Sequence, residues 1–153
     1  MSTDGTGNSE MPEVSISRPM LIRQIDIDRL AATVGAGSFG TFGTGDDPAI
    51  APPGFHHTVA SALDVPRPFE DRLPDGRLVR GAGRARAMAA GTEIETIRPI
   101  RAGEQVRVEQ RLASRVQKTT RIGVGEFCTW ERKYIDQDDN LLIIERHSVF
   151  YTD

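Results

Sequence analysis

One cysteine, one tryptophan and two tyrosines are spread over 153 residues. A lone thiol excludes an intramolecular disulfide. Cys128 lies beside Trp130 in a strand-like pattern, with no helix N-terminus or clear cationic neighbour to activate it, so it reads as a small buried hydrophobe rather than a catalytic thiol. No apolar run is long enough to cross a bilayer, and no charged-then-apolar leader is present, so a cytoplasmic protein is expected. No basic patch stands out, the strand arginines alternate with glutamates and the formal net charge is −3, which argues against nucleic acid. No group of His, Cys, Asp or Glu has metal-ligand spacing, so neither a metal nor a bound cofactor is expected.

The most informative stretch is Gly91–Arg111. It reads as a strand, a tight turn and the start of a second strand. Pro99 fixes φ and Gly103 permits positive φ, which gives the turn a mechanism. Beyond it, Val106, Val108, Leu112 and Val116 alternate with Arg107, Glu109, Arg111 and Arg115, the period-two pattern of a half-buried strand. Four strands are predicted, at Thr92–Arg98, Glu104–Lys118, Ile122–Asp136 and Asn140–Tyr151. Arg84–Ala90 fits either a helical turn or a strand lead-in. Asp136–Asn140 has the composition of a hairpin turn.

Upstream, residues 1–19 are polar and aperiodic and read as a disordered tail; residues 20–153 form one domain. A short helix fits Ile22–Val34, capped by Asp26 or Asp28 and stopped by Gly35. Gly35–Gly45 is glycine-rich, but no strand clearly precedes it and no Lys-Ser/Thr pair follows. It reads as a flexible entry flap anchored by Phe39 and Phe42 rather than a phosphate loop. A second helix starts near Gly54, with Phe55, Val59 and Leu63 on one face and small Ala60 and Ala62 allowing close approach, and stops before Pro66. Pro66–Gly83 reads as loop. Helices first and antiparallel strands after give an α+β fold. Strands this long curl, and a long antiparallel sheet curled around one apolar central helix is a hot-dog fold. Its exposed edge points to pairing with another subunit.

Three pieces in this order resemble the MaoC-like dehydratase superfamily, in its N-terminal, fatty-acid-synthase-type branch. They are Ile50-Ala51-Pro52-Pro53-Gly54-Phe55, the stretch Glu93–Glu104 with its Arg98-Pro99-Ile100 and Gly103-Glu104, and Asp136–Leu141. Lys118, Gly123 and Gly125 add to the likeness, which runs from about Leu21 to Tyr151. The resemblance implies a hot-dog dimer or double hot-dog. It also implies an acyl thioester of coenzyme A or acyl carrier protein as substrate, and reversible hydration of an enoyl thioester. Active members carry Asp-x-Asn-Pro-x-His, whose Asp and His activate the water, while a backbone N–H near the central helix polarises the thioester carbonyl.

The chain departs from that motif. Gly45-Asp46-Asp47-Pro48-Ala49-Ile50 lacks the spacer, has Asp47 for Asn, and has Ile50 where His falls. Asp46 is the one catalytic residue carried over. Two readings follow. His56 or His57, at the start of the central helix, supplies the base, kept neutral by the helix N-terminus. Alternatively, the chain is the acyl-binding half of a heteromer whose partner carries Asp and His. The candidate catalytic residues are therefore Asp46, His56 and His57, and the candidate substrate contacts are Pro53, Gly54, Phe55, Arg98 and Trp130. Five of them have a plainer alternative: turn chemistry for Asp46, an exposed or interface helix start for His56 and His57, a solvated strand end for Arg98, core or interface packing for Trp130. His147, alternating with apolar neighbours, reads as structural.

Overall fold

The computed structural model describes residues 14–34, 49–65 and 86–152. The expected flap, Asp46 and Asp47, and the loop at 66–83 lie outside the described residues. The elements run β1 (Ser15–Ile16), β2 (Met20–Leu21), α1 (Gln24–Thr33), α2 (Phe55–Ala62), β3 (Arg86–Thr96), β4 (Gln105–Thr120), β5 (Gly123–Ile135) and β6 (Leu141–Thr152). All strand pairs are antiparallel, in the order β1-β4-β5-β6-β3, with β2 also on β4. Among the described residues no helix is long and apolar enough to cross a membrane.

The four long strands form where alternation predicts them, with three corrections. The first begins at Arg86 and ends at Thr96, so the lead-in left open is strand. Ser15–Ile16, placed in the expected tail, pairs with Glu109–Gln110 instead. Val116 does not share the face of Val106, Val108 and Leu112. A register shift between Leu112 and Ser114 inserts one residue, which sends every later side chain to the opposite face. Val116 is consequently 48% exposed, and Arg115 stands opposite the buried Cys128. In α1 the N-cap is Arg23, without a side-chain cap. Asp26 lies in the first turn, where Arg23 Nε and Nη2 each donate to its carboxylate at 2.8 Å.

The turn after β3 holds both helix approaches. Gly103, at φ +87°, donates its N–H to Ile22 O ahead of α1, and Ile22 N donates back to Glu104 O, both at 2.8 Å. Ala51 N donates to Ile100 O at 2.8 Å and Ala102 N to Ala49 O at 2.9 Å ahead of α2. Pairing the residues before Pro52 to a rigid turn fixes where α2 starts. Its apolar face then packs on the sheet: Phe55, Val59 and Ala60 share one buried cluster with Val106, Val108, Tyr134 and Ile143. Burying each such large side chain is worth about 1.5–3 kcal/mol. A second buried cluster of Leu112, Cys128, Trp130, Val149 and Tyr151 lies farther along the sheet. One apolar helix against a long antiparallel sheet is the hot-dog arrangement.

Candidate active site

Strand register builds the site from the sheet upward. On the face that carries Tyr134 and Ile143, the next row is Gln110, Arg132, Glu145 and Ile94, one from each long strand. Gln110, Arg132 and Glu145 are all buried. Arg132 Nε donates to Gln110 Oε1 at 2.6 Å, and its Nη1 lies 3.7 Å from Glu145 Oε2. The Tyr134 hydroxyl donates to that same oxygen at 2.9 Å. Burial, and then Glu145 beside it, push the Tyr134 phenol well above its ordinary range, so it stays a donor. Charge neutralisation by Arg132 and the tyrosine hydrogen bond are what make a buried carboxylate tolerable here.

The first turn of α2 stands over this row. Gly54, at φ +89°, turns the chain from Pro52-Pro53 into the helix, and Phe55 N donates to Pro52 O at 3.1 Å. His56 follows, buried, with its ring edge-on to Tyr134 at 5.3 Å and 4.1 Å from the His57 ring. Burial foremost, and His57 second, lower the His56 pKa to about 4, with Glu145 opposing; the ring is neutral at physiological pH. Its Nε2 has no hydrogen-bond partner among the described residues. His57 is different in kind. Its side chain is 56% exposed, yet Nδ1 lies 3.9 Å from Glu145 Oε1, whose side chain is 4% exposed.

Beside the histidines opens an apolar cleft of about 270 Å³. Ile50, Pro53, Phe55 and His56, from the approach to α2 and its first turn, line it together with Ile94 of β3 and Ile143 of β6. A concave apolar lining with a few polar groups at its margin is the usual form of a small-ligand site.

The expected site residues therefore divide. His56, Pro53, Gly54 and Phe55 line the cleft, and His57 adjoins His56. Arg98 and Trp130 do not line it. The Arg98 guanidinium is tied to Glu104 Oε1 at 2.6 Å and to the buried Asp136 Oδ2 at 2.5 Å, which clamps the two turns at that end of the sheet. Trp130 packs in the second buried cluster. His147 faces Thr92, its Nδ1 2.5 Å from Thr92 Oγ1. Cys128 is buried and its thiol is pushed up to about 11 by burial, as a structural cysteine requires.

Glu145, Arg132 and Gln110 did not emerge as candidates from the sequence. The signal was present in phase: Gln110 and Arg132 each occupy an inward step between apolar or aromatic residues of their strands, and Glu145 the inward step between Ile143 and His147. Sequence spacing likewise hides a donor set. One ring nitrogen each of His56 and His57 and a carboxylate oxygen of Glu145 lie within 4.8 Å of one another, although Glu145 is on the last strand.

Residues 44–145 match the family model described as FAS1-like, dehydratase domain region. No curated protein matches significantly. Solved structures share the fold. A MaoC-like dehydratase from Rhodospirillum rubrum superposes with a TM-score of 0.62 at 16% identity, covering 94% of this chain and 93% of that one. The C-terminally truncated HadBC (3R-hydroxyacyl-ACP dehydratase) complex from Mycobacterium tuberculosis gives 0.58 at 14%, covering 92% and 96%. An (R)-hydratase from A. caviae involved in PHA biosynthesis gives 0.55 at 13%, covering 94% and 98%.

Proposed function

This chain belongs to the family of the FAS1-like dehydratase domain region, within the MaoC-like hot-dog superfamily, and from that premise we propose that it hydrates enoyl thioesters, or dehydrates 3-hydroxyacyl thioesters, of coenzyme A or an acyl carrier protein. The observation that carries the reading is the neutral His56 lining an apolar cleft, with the Glu145-facing His57 against its ring.

In this reading the acyl chain lies between Phe55 and Ile94, and the thioester reaches the start of α2. His57 takes a proton from water as the water oxygen bonds to the β-carbon. The double-bond electrons move toward the thioester carbonyl, and the α-carbon then takes its proton back from the imidazolium. Glu145 stabilises that imidazolium. His56, which cannot hold a charge at neutral pH, positions the water through a neutral ring nitrogen. Asp46 remains the family-derived candidate for a second water contact.

The second reading is a non-catalytic acyl-binding subunit paired with a hot-dog chain that supplies the Asp/His dyad. Ile50 favours it: the position where the motif histidine would fall presents an apolar side chain to the cleft. Among the described residues β3 pairs only with β6, leaving an edge suited to a second hot-dog subunit, whether a copy or a different chain. The structurally similar HadBC is itself a complex.

The test follows the absorbance of a conjugated enoyl-CoA, short-chain and bulky, mixed with the purified chain alone. Loss of the enoyl signal, abolished in a folded His56→Ala/His57→Ala double variant, is the expected result. Binding without turnover favours the partner-subunit reading. Turnover retained in the folded double variant overturns the assignment of the base, and no binding overturns the thioester.

A further inference from the structure

We propose that His56, His57 and Glu145 form a binding site for a divalent metal ion of the zinc class, one that competes with the proposed proton chemistry instead of supporting it. Two imidazoles and one carboxylate are a donor set that zinc accepts in three-ligand, open sites. Four arrangements point to a site rather than a chance grouping. The three donor atoms already lie within 4.8 Å of one another. Zinc bonds of about 2.0–2.2 Å bring tetrahedral ligands to within roughly 3.5 Å of each other, so the remaining closure is small. The half-exposed His57 side chain is the part free to make it, because Glu145 is held in place.

Glu145 is held as a metal-binding carboxylate usually is, by outer hydrogen bonds on one oxygen that leave the other free to bind. Tyr134 donates to Oε2 and Arg132 approaches it, while Oε1 faces His57. His56 is buried and its Nε2 has no hydrogen-bond partner among the described residues. The exposed side of His57 gives the ion an entry path, and the cleft lined by His56 leaves room for a fourth ligand. The positive charge of Arg132 beside the same carboxylate makes the site weaker than a closed four-ligand structural zinc site.

The consequence for the proposed reaction is direct. An ion on these ring nitrogens occupies the lone pair through which His57 would take a proton, so zinc acts as an inhibitor. The inference rests on the donor geometry alone, and its test reads binding in the absence of any thioester. Zinc is titrated by calorimetry into the chain after chelator dialysis, and Co(II) is added separately as a spectroscopic probe. Saturable binding of one ion per chain is expected, with the visible bands of a nitrogen- and oxygen-ligated Co(II). His57→Ala should weaken it at least tenfold, as should Glu145→Gln. His57 is exposed, so its variant keeps the test valid even where Glu145→Gln fails to fold. His147→Asn should bind as the parent does. No saturable binding, or parental affinity in His57→Ala, overturns the site. A chain that binds zinc but turns over no thioester supports this site while refuting the hydratase reading; an active chain blind to zinc does the reverse.

Discussion

Glu145 Oε1 on β6 lies 3.9 Å from His57 Nδ1 in the first turn of α2, a buried carboxylate turned toward an exposed imidazole. The pairing depends on two separate constraints. Strand register puts Glu145 on the helix-facing side, and the pairing of residues 49–51 with the Pro99–Gly103 turn sets where the helix begins.

The two histidines should separate kinetically. With a short-chain enoyl-CoA, His57→Ala should lower kcat about 100-fold or more, the usual worth of a positioned general base, while leaving the melting temperature nearly unchanged. His56→Ala should lower both activity and stability, since it empties a buried position. Steady-state kinetics beside thermal melts distinguish the two.

Stability should fall on mild acidification because of His56. Its folded-state pKa is lowered to about 4 from an ordinary 6.5, so the unfolded chain binds the extra proton first. The contribution is complete above pH 6.5 and is lost as pH falls toward 4, by on the order of 3 kcal/mol in all. His147, also lowered by burial, adds in the same direction. Urea midpoints across that window should rise with pH, and less steeply in His56→Gln.

The Arg98 clamp should be structural. Burial alone would raise the Asp136 pKa, but hydrogen bonds from the Asn140 side chain and from the backbone N–H of Asn140 and Asp138, with Arg98 alongside, hold it below its ordinary value. Arg98→Ala should cost about 1.5–3 kcal/mol, as for a hydrogen bond to a charged group. It should leave the affinity for coenzyme A thioesters unchanged. Calorimetric melting and ligand titration of the same variant check both halves.

Cys128 should be inert. Buried, with its thiol pushed up to about 11, it should not react with a disulfide reagent at pH 8 in the folded chain and should react fully in denaturant.

Ile94 should set acyl size. It lines the cleft from β3 and is 49% exposed, so Ile94→Phe narrows the cleft without disturbing the core. The KM for a bulky acyl thioester should rise relative to that for a short one, at an unchanged melting temperature.

By itself the sequence determined the two helices, the run of four long strands and the family resemblance. Period-two alternation marks a strand whatever it packs against, Pro99 and Gly103 prescribe their turn locally, and the apolar spacing of Phe55, Val59 and Leu63 specifies a helix face. These are short-range facts, and the hot-dog fold follows from their order. It also placed His56 and His57 at the helix start. Tertiary structure decided what surrounds them. Register across four strands, and the single extra residue between Leu112 and Ser114, choose which side chains meet. That choice joins Glu145 to His57, ties Arg98 to Asp136, and buries Trp130 away from the cleft. The reason is physical: alternation fixes a side chain's face within its strand, whereas its neighbours across the sheet come from residues distant in the chain, brought together when the whole sheet closes on its helix.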